Sequence, residues 1–117
     1  MKKGDLIKYE IYQQRSRELL CVGTDYYDRK GKLIPKDGYK MVYSGTLEAG
    51  SENIYDFLEK LYYIFNCEHP KDFKGHSLSV SDIVKVEIGK EPGTYFCDSF
   101  GFKKLTEKKE GYSYDKK

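Results

Sequence analysis

Short stretches of alternating or β-favouring residues predict a sheet. In a half-buried strand every second side chain is apolar, and β-branched and aromatic residues pack well on a pleated surface. Four segments meet one or both criteria: 6–13 (LIKYEIYQ), 39–47 (YKMVYSGTL), 82–88 (DIVKVEI) and 94–98 (TYFCD). Residues 89–93 (GKEPG) predict a hairpin loop, and 99–105 predict a bend at Gly101 followed by a short further strand. We therefore expect an antiparallel sheet of four to five strands.

A helical repeat of apolar residues follows the second predicted strand. Six residues recur at steps of three and four and so share one helix face: Ile54, Phe57, Leu58, Leu61, Ile64 and Phe65. Ser51 is suited to accept hydrogen bonds from the first-turn amides, and Asn66 and Pro70 are expected to end the helix. We predict one main amphipathic helix over about 51–66 that packs on the sheet, which gives an α+β fold.

The segment from Arg15 to Gly38 has a weaker pattern. Glu18 to Val22 fits either a short helix or a short strand. Gly31, Pro35 and the Asp37-Gly38 pair interrupt regular structure. We expect an excursion from the sheet that ends in a turn.

The composition fits one domain with a tyrosine-rich core. Of 117 residues, 34% are charged, and the mean hydropathy of −0.75 is offset by 12 tyrosines and 6 phenylalanines. This length predicts a single domain over residues 1–117, with its core in about 6–105. The lysine-rich residues 106–117 are expected to form a flexible tail.

Cysteine usage and hydropathy predict the compartment. Three cysteines at wide spacings, Cys21, Cys67 and Cys97, fit neither a disulfide framework nor a zinc ribbon, which favours a reducing environment. The sequence contains no stretch of about 18 apolar residues that would span a membrane, and its start lacks an apolar signal core. We expect a cytoplasmic protein without a membrane partner.

The candidate catalytic and metal-binding residues are sparse. Cys67, His69 and His76 have zinc chemistry but not the spacing of known zinc fingers, so no metal site is predicted. Cys97 with His76, or a serine with His76 and either Asp82 or Asp98, could be arranged as nucleophile and base, but no serine lies in a nucleophile-elbow motif. No phosphate-binding glycine motif occurs either. We predict no catalytic residue and no cofactor, with a small enzyme based on Cys97 or His76 as the weaker alternative.

A lysine cluster near the end of the chain suggests a second alternative. Lysines that could contact a phosphate backbone lie beside Tyr112 and Tyr114, whose rings could stack on bases: Lys103, Lys104, Lys108 and Lys109. The net charge is only +2, and Glu107, Glu110 and Asp115 are interspersed, as in a solvated tail. A nucleic-acid-associated domain is therefore an alternative function, but not the favoured one.

Several motifs together resemble the YodL-like domain of bacterial proteins. They are YEIYQ near the start, YKMVYSG, the segment FN-(x)3-HP-(x)2-F-(x)-GHSLSVSDIV, and TYFCDSFGF. The resemblance spans about residues 9–104 and is weakest over 15–38. Similar proteins occur in Firmicutes, often on mobile elements, alone or within large polyvalent proteins. The resemblance supplies no catalytic residue and implies a small accessory module, such as an anti-defence or regulatory inhibitor that binds a host or element-encoded protein.

The most distinctive polar segments flank the third and fourth predicted strands, so the hairpin is expected to bring them to one end of the sheet. We predict a partner-binding surface there, formed by His76, Ser77, Ser79, Ser81, Asp82, Asp98, Ser99, Phe100 and Phe102. Aromatic side chains among short polar groups are typical of interface anchors. In the alternative interpretation both phenylalanines close the core and Asp82 caps a turn. The leading expectation is a non-enzymatic protein-binding module.

Overall fold

The chain folds around one antiparallel sheet. The computed structural model describes residues 1–88 and 91–115. Within them the elements are β1 (Leu6–Gln14), α1 (Thr24–Lys30), β2 (Tyr39–Glu48), α2 (Ile54–Cys67), β3 (Ile83–Ile88), β4 (Glu91–Asp98), β5 (Gly101–Lys108) and β6 (Gly111–Tyr114). The strand order is β2-β1-β3-β4-β5-β6. The predicted α+β class is confirmed, but the sheet has six strands rather than four to five, and there is a second helix.

Helix α2 covers one face of the sheet. Its buried side chains, Phe57, Leu58, Leu61 and Phe65, pack against alternate residues of β1 and β3. The helix begins at Ile54 and not at Ser51, because Asn53 is the N-cap residue, and its side chain accepts a hydrogen bond from Tyr55 N at 2.9 Å. Ser51 Oγ instead accepts a hydrogen bond from Asn53 N at 3.1 Å. The apolar repeat therefore predicts the buried face correctly but not the first turn.

Residues 15–38 cover part of the opposite face of the sheet. Tyr27 of α1 and Ile34 are buried there in a second cluster, together with Ile83, Phe96, Leu105 and Tyr112. The Tyr27 ring meets the Phe96 ring edge to face, with centroids 6.4 Å apart. The predicted helix or strand at residues 18–22 is wrong, because residues 18–21 form a turn and the helix follows later. The excursion therefore buries the sheet on its second side.

Strand β4 begins earlier than predicted. Residues 89–90 of the expected five-residue loop lie outside the described residues, and 91–93 already belong to β4. In β4, Gly93 pairs with Val86. The hairpin itself is confirmed by the antiparallel pairing of the two strands.

The expected tail over residues 106–117 is also corrected. Strand β5 runs to Lys108, and β6 then returns alongside it, with Tyr112 only 6% exposed. Ile34 N donates to Tyr112 O at 3.0 Å, and Tyr112 N donates to Ile34 O at 2.7 Å. Gly111 permits this approach, because a Cβ at that position would lie 2.6 Å from Ile34 O. The last described strand is therefore part of the second core.

Candidate functional site

The two polar motifs meet at one end of the sheet, as the hairpin predicts. Ser81 N donates a hydrogen bond to Cys97 O at 2.9 Å, and Cys97 N donates to Asp82 O at 2.8 Å. These bonds join the segment that enters β3 to the end of β4. The turn from Asp98 to Phe102 follows directly. The backbone bonds thus place Ser81 and Asp82 beside the end of β4, directly before the turn.

Phe100 lies at the tip of the turn between β4 and β5 and is fully exposed, at 101% of its reference surface. Asp98 and Gly101 pair at the base of this turn, and Gly101 has a φ of +94°, which residues with a side chain rarely adopt. Asp98 Oδ1 accepts a hydrogen bond from Ser99 N at 2.9 Å. The turn therefore displays Phe100 on a backbone that local bonds hold in place.

Asp98 also caps helix α1 from a distant part of the chain. The N-cap position is Gly23, which has no side chain to accept hydrogen bonds. Asp98 Oδ1 instead accepts a hydrogen bond from Thr24 N at 3.0 Å, and its Oδ2 accepts one from the Thr24 hydroxyl. Lys103 Nζ lies 3.8 Å from Asp98 Oδ2. Asp98 thus fixes the turn to α1. No local sequence pattern indicates this structural role.

Two concavities flank the turn. One, of about 200 Å³, is lined on the α2 side by Glu59, Tyr62, Val80 and Phe102. The other, of about 450 Å³, is lined on the α1 side by Thr24, Asp25, Asp28 and Lys103, with Phe100 at its rim. We call this region the turn surface: residues 98–103, Asp25 and Asp28 of α1, and Glu59 and Tyr62 of α2.

The two phenylalanines of the motif have different roles. Phe102 is half-buried and packs against the core beneath α2. Phe100 makes no such contribution to the core, because its side chain is fully exposed. The interpretation that both rings close the core is correct for Phe102 and wrong for Phe100.

Asp82 is a completely buried carboxylate. Its Oδ2 accepts hydrogen bonds from Ser79 N at 2.9 Å and from Gln13 Nε2 at 3.1 Å. Its Oδ1 has no hydrogen-bond partner among the described residues, and His76 Nε2 lies 3.9 Å away. Burial raises the pKa of Asp82 to about 6, although the bond from Ser79, the nearby His76 and the bond from Gln13 act in the opposite direction.

His76 ties its loop to β1 and has no catalytic geometry. Its Nδ1 lies 2.8 Å from Ser77 O, so we assign the Nδ1 proton to that bond, and Ser79 Oγ is more distant at 3.4 Å. Gln13 Nε2 donates to His76 O at 2.7 Å. Ser79 Oγ and Asp82 Oδ1 lie at opposite ring nitrogens, but their distances of 3.4 Å and 3.9 Å are longer than the hydrogen bonds of a proton relay, and Nδ1 is already bonded to Ser77 O.

Ser81 lies in a strained backbone conformation. It has a φ of +87°, and the neighbouring Cys21 has a φ of +62°. Cys21 N donates to Ser81 Oγ at 3.2 Å, and the Tyr39 hydroxyl donates to Ser81 O at 2.7 Å. Ser81 is buried, so it organises the site from within instead of contacting a partner.

Cys97 is buried, and its thiol is a weak acid. Burial raises its pKa to about 12, with further contributions from the carboxylates of Asp82, Glu59 and Asp98. The thiol is therefore protonated at neutral pH. All three cysteines are free.

Among residues 1–88 and 91–115, no group of three or more histidine, cysteine, aspartate or glutamate side chains is arranged to hold a metal ion. In the same part of the chain, no helix has the length and apolar character needed to cross a membrane. Cys67 and His69, considered above as ligands, are both exposed.

The candidate lysines do not share one surface. Lys103 pairs with Phe96 on the α1 face of the sheet, whereas Lys104 pairs with Tyr95 on the α2 face. The alternation of β5 places Lys108 on the same face as Lys104. Lys109 lies in the turn before β6. The ammonium group of Lys103 lies 5.5 Å from the centroid of the Tyr114 ring.

Several residues of this region were not found from the sequence. Gln13 continues the buried alternation of Ile7, Tyr9 and Ile11, so its inward position was detectable. Glu59 and Tyr62 are exposed residues on α2, outside the apolar stripe. The residues of α1 were missed because no local pattern predicted that helix.

These features define a small α+β domain whose sheet is covered on both sides and whose β4–β5 turn displays an aromatic side chain. The family model of the YodL-like domain matches residues 8–107, so the chain belongs to the YodL-like domain family. The matched region contains both polar motifs and the excursion, and it ends before β6. The chain matches no curated protein and no solved structure.

Proposed function

We propose that this chain is a non-enzymatic protein-binding module that binds its partner through the turn surface. The observation that carries the proposal is the complete exposure of Phe100. Burying a phenylalanine side chain contributes roughly 1.5–3 kcal/mol, and a ring left in water offers that free energy to a partner. Aromatic anchors surrounded by polar groups dominate many protein interfaces.

The rigidity of the turn supports the same proposal. Asp98 bonds both to Ser99 N and to the start of α1, so the backbone below Phe100 is held before a partner arrives. A preorganised turn loses little conformational entropy on binding. Ser99 and Lys103 provide polar groups beside the aromatic anchor, as at the rim of an interface.

We also propose a cellular setting, which is the one that the resemblance noted in the sequence implies. In this setting the module is a cytoplasmic accessory protein of a mobile element, and its partner is a host or element-encoded bacterial protein that it inhibits or regulates. The protonated thiol of Cys97 and the geometry of His76 give no support to an enzyme. The division of the lysines between two faces does not favour a nucleic-acid interface.

Site-specific crosslinking in the native host tests this proposal. A photoreactive phenylalanine analogue replaces Phe100 in one variant and Leu6 in a matched control, because Leu6 is also strongly exposed, at 75%, but begins β1 at the far end of the sheet. We expect a discrete crosslinked protein from position 100 in several-fold excess over position 6. Equal yields at both positions, or no adduct at position 100, would contradict the proposal.

A further inference from the structure

The turn surface carries a charge opposite to that of the whole chain. Its two concavities are lined by four carboxylates, from Asp25, Asp28, Glu59 and Asp98, and by the single lysine Lys103, within the described residues. Lys103 lies near Asp98, so its charge is partly compensated there. The complete sequence has a net charge of +2. The surface around Phe100 is therefore locally acidic on a weakly basic protein.

Three of these carboxylates, from Asp25, Asp28 and Asp98, line the same concavity of about 450 Å³. The Tyr114 hydroxyl donates to Asp28 Oδ1 at 2.6 Å. The pKa of Tyr114 is raised by burial, by its bond to Asp28, and then by the negative charges of Asp28, Asp98 and Asp25. The concavity that Phe100 also lines therefore has more carboxylates than lysines among its described lining residues.

We propose that the partner inserts an arginine side chain at this acidic, aromatic surface, an inference that rests on the proposed function. A guanidinium group stacks on the face of an aromatic ring and pairs with carboxylates in its plane. Phe100 supplies the ring, and Asp25 is an exposed carboxylate that lines the same concavity of about 450 Å³ on the α1 side of the turn. A lysine fits this arrangement less well, because its ammonium group is a strongly hydrated point charge.

The concavity has the size for such an occupant. Its volume of about 450 Å³ lies within the range of about 300–1,000 Å³ that is typical of ligand sites. The aliphatic part of an arginine side chain can lie along the Phe100 ring while its charged end remains at the carboxylates. Charge complementarity therefore selects a basic segment of a partner protein over an acidic or purely apolar one.

Selection from a random dodecapeptide display library tests this inference. The immobilised chain is the bait, and the recovered peptides are then measured against both the unmodified chain and a Phe100→Ala variant. Phe100→Ala is expected to fold normally, because the ring is fully exposed, and a far-UV circular dichroism spectrum checks this. We expect recovered peptides to be enriched in arginine over the input library and to bind Phe100→Ala at least about tenfold more weakly.

Charge variants complete the test. Asp25→Asn is expected to weaken the binding of the arginine peptides by about two- to fivefold. Glu87→Gln, at an exposed residue of β3 outside the turn surface, is the matched control and is expected to leave the binding of the peptides unchanged. Peptides that need Phe100 but contain no excess of arginine would overturn this inference and leave the proposed function standing. Peptides that bind Phe100→Ala as tightly as the unmodified chain would overturn both the inference and the proposed function. Recovery of no binding peptide would have the same consequence.

Discussion

Asp82 shows how one buried side chain can make the stability of the fold depend on pH. Its carboxylate is completely buried, and burial raises its pKa from 3.8 to about 6. Between these two values the folded chain holds a proton that the unfolded chain has released. The stability contributed by this group is therefore fully present below about pH 4 and is lost as the pH rises through about 6, by roughly 1–3 kcal/mol.

Replacing Asp82 with Asn is expected to remove this pH dependence. The amide oxygen can accept the bonds from Ser79 N and Gln13 Nε2, and the amide nitrogen replaces Oδ1 facing His76 Nε2. We expect Asp82→Asn to be as stable as the wild type or more stable at pH 7, and to show less loss between pH 4 and pH 6. Urea unfolding at pH 4, 5.5 and 7 measures the difference.

The control for this prediction is Asp82→Ala. It removes the acceptor and leaves two buried donors unsatisfied, so we expect it to cost about 2–4 kcal/mol at every pH. A variant Asp82→Asn that is destabilised as much as Asp82→Ala would show that the negative charge itself is needed for folding.

At the scale of elements, α1 depends on a residue that is distant in sequence. Asp98 provides the cap that Gly23 lacks, so Asp98→Ala is expected to lower the free energy of unfolding by about 1–2 kcal/mol and to speed amide exchange in α1. Asp25→Ala is the matched control, because Asp25 is an exposed first-turn residue worth only a few tenths of a kcal/mol. Equal effects of the two substitutions would contradict the capping role.

The same contrast explains which elements could be predicted from the sequence. The apolar repeat of α2 is local, so its buried face follows from a helical period of 3.6 residues. Helix α1 has seven residues and an N-terminus capped by β4, and neither property leaves a local pattern. Strand β6 lies in a lysine-rich segment, and its backbone partner Ile34 belongs to the excursion. Contacts between residues distant in sequence therefore determine both α1 and β6.

The candidate site was predictable to a similar extent. The hairpin placed the two polar motifs at one end of the sheet, and hydrogen bonds between Ser81, Asp82 and Cys97 agree with that placement. The exposure of Phe100 was not predictable, because Phe100 and Phe102 are two residues apart and would share a face in a regular strand. The turn at Gly101 separates them, and only Phe102 reaches the core.

At the scale of the molecule, the second core depends on β6. A chain that ends at Lys108 lacks Tyr112 and the pairing with Ile34, and it uncovers Leu105. We expect it to lose at least about 3 kcal/mol of stability, as is typical when a large buried side chain is removed. A chain that ends at Asp115 keeps β6 and is the control. Thermal or urea unfolding of both chains measures the effect, and equal stability would show that β6 is dispensable.

The pairing of Ile34 with Tyr112 also sets an order of events during synthesis. Strands β1 to β5 and helix α2 leave the ribosome before β6, and the core beneath α2 contains no residue of β6. The excursion is translated early, but its backbone can pair with this partner only after β6 has been translated. During that interval the core beneath α2 can form while the second core is still incomplete. Apolar side chains of the excursion are then available to chaperones.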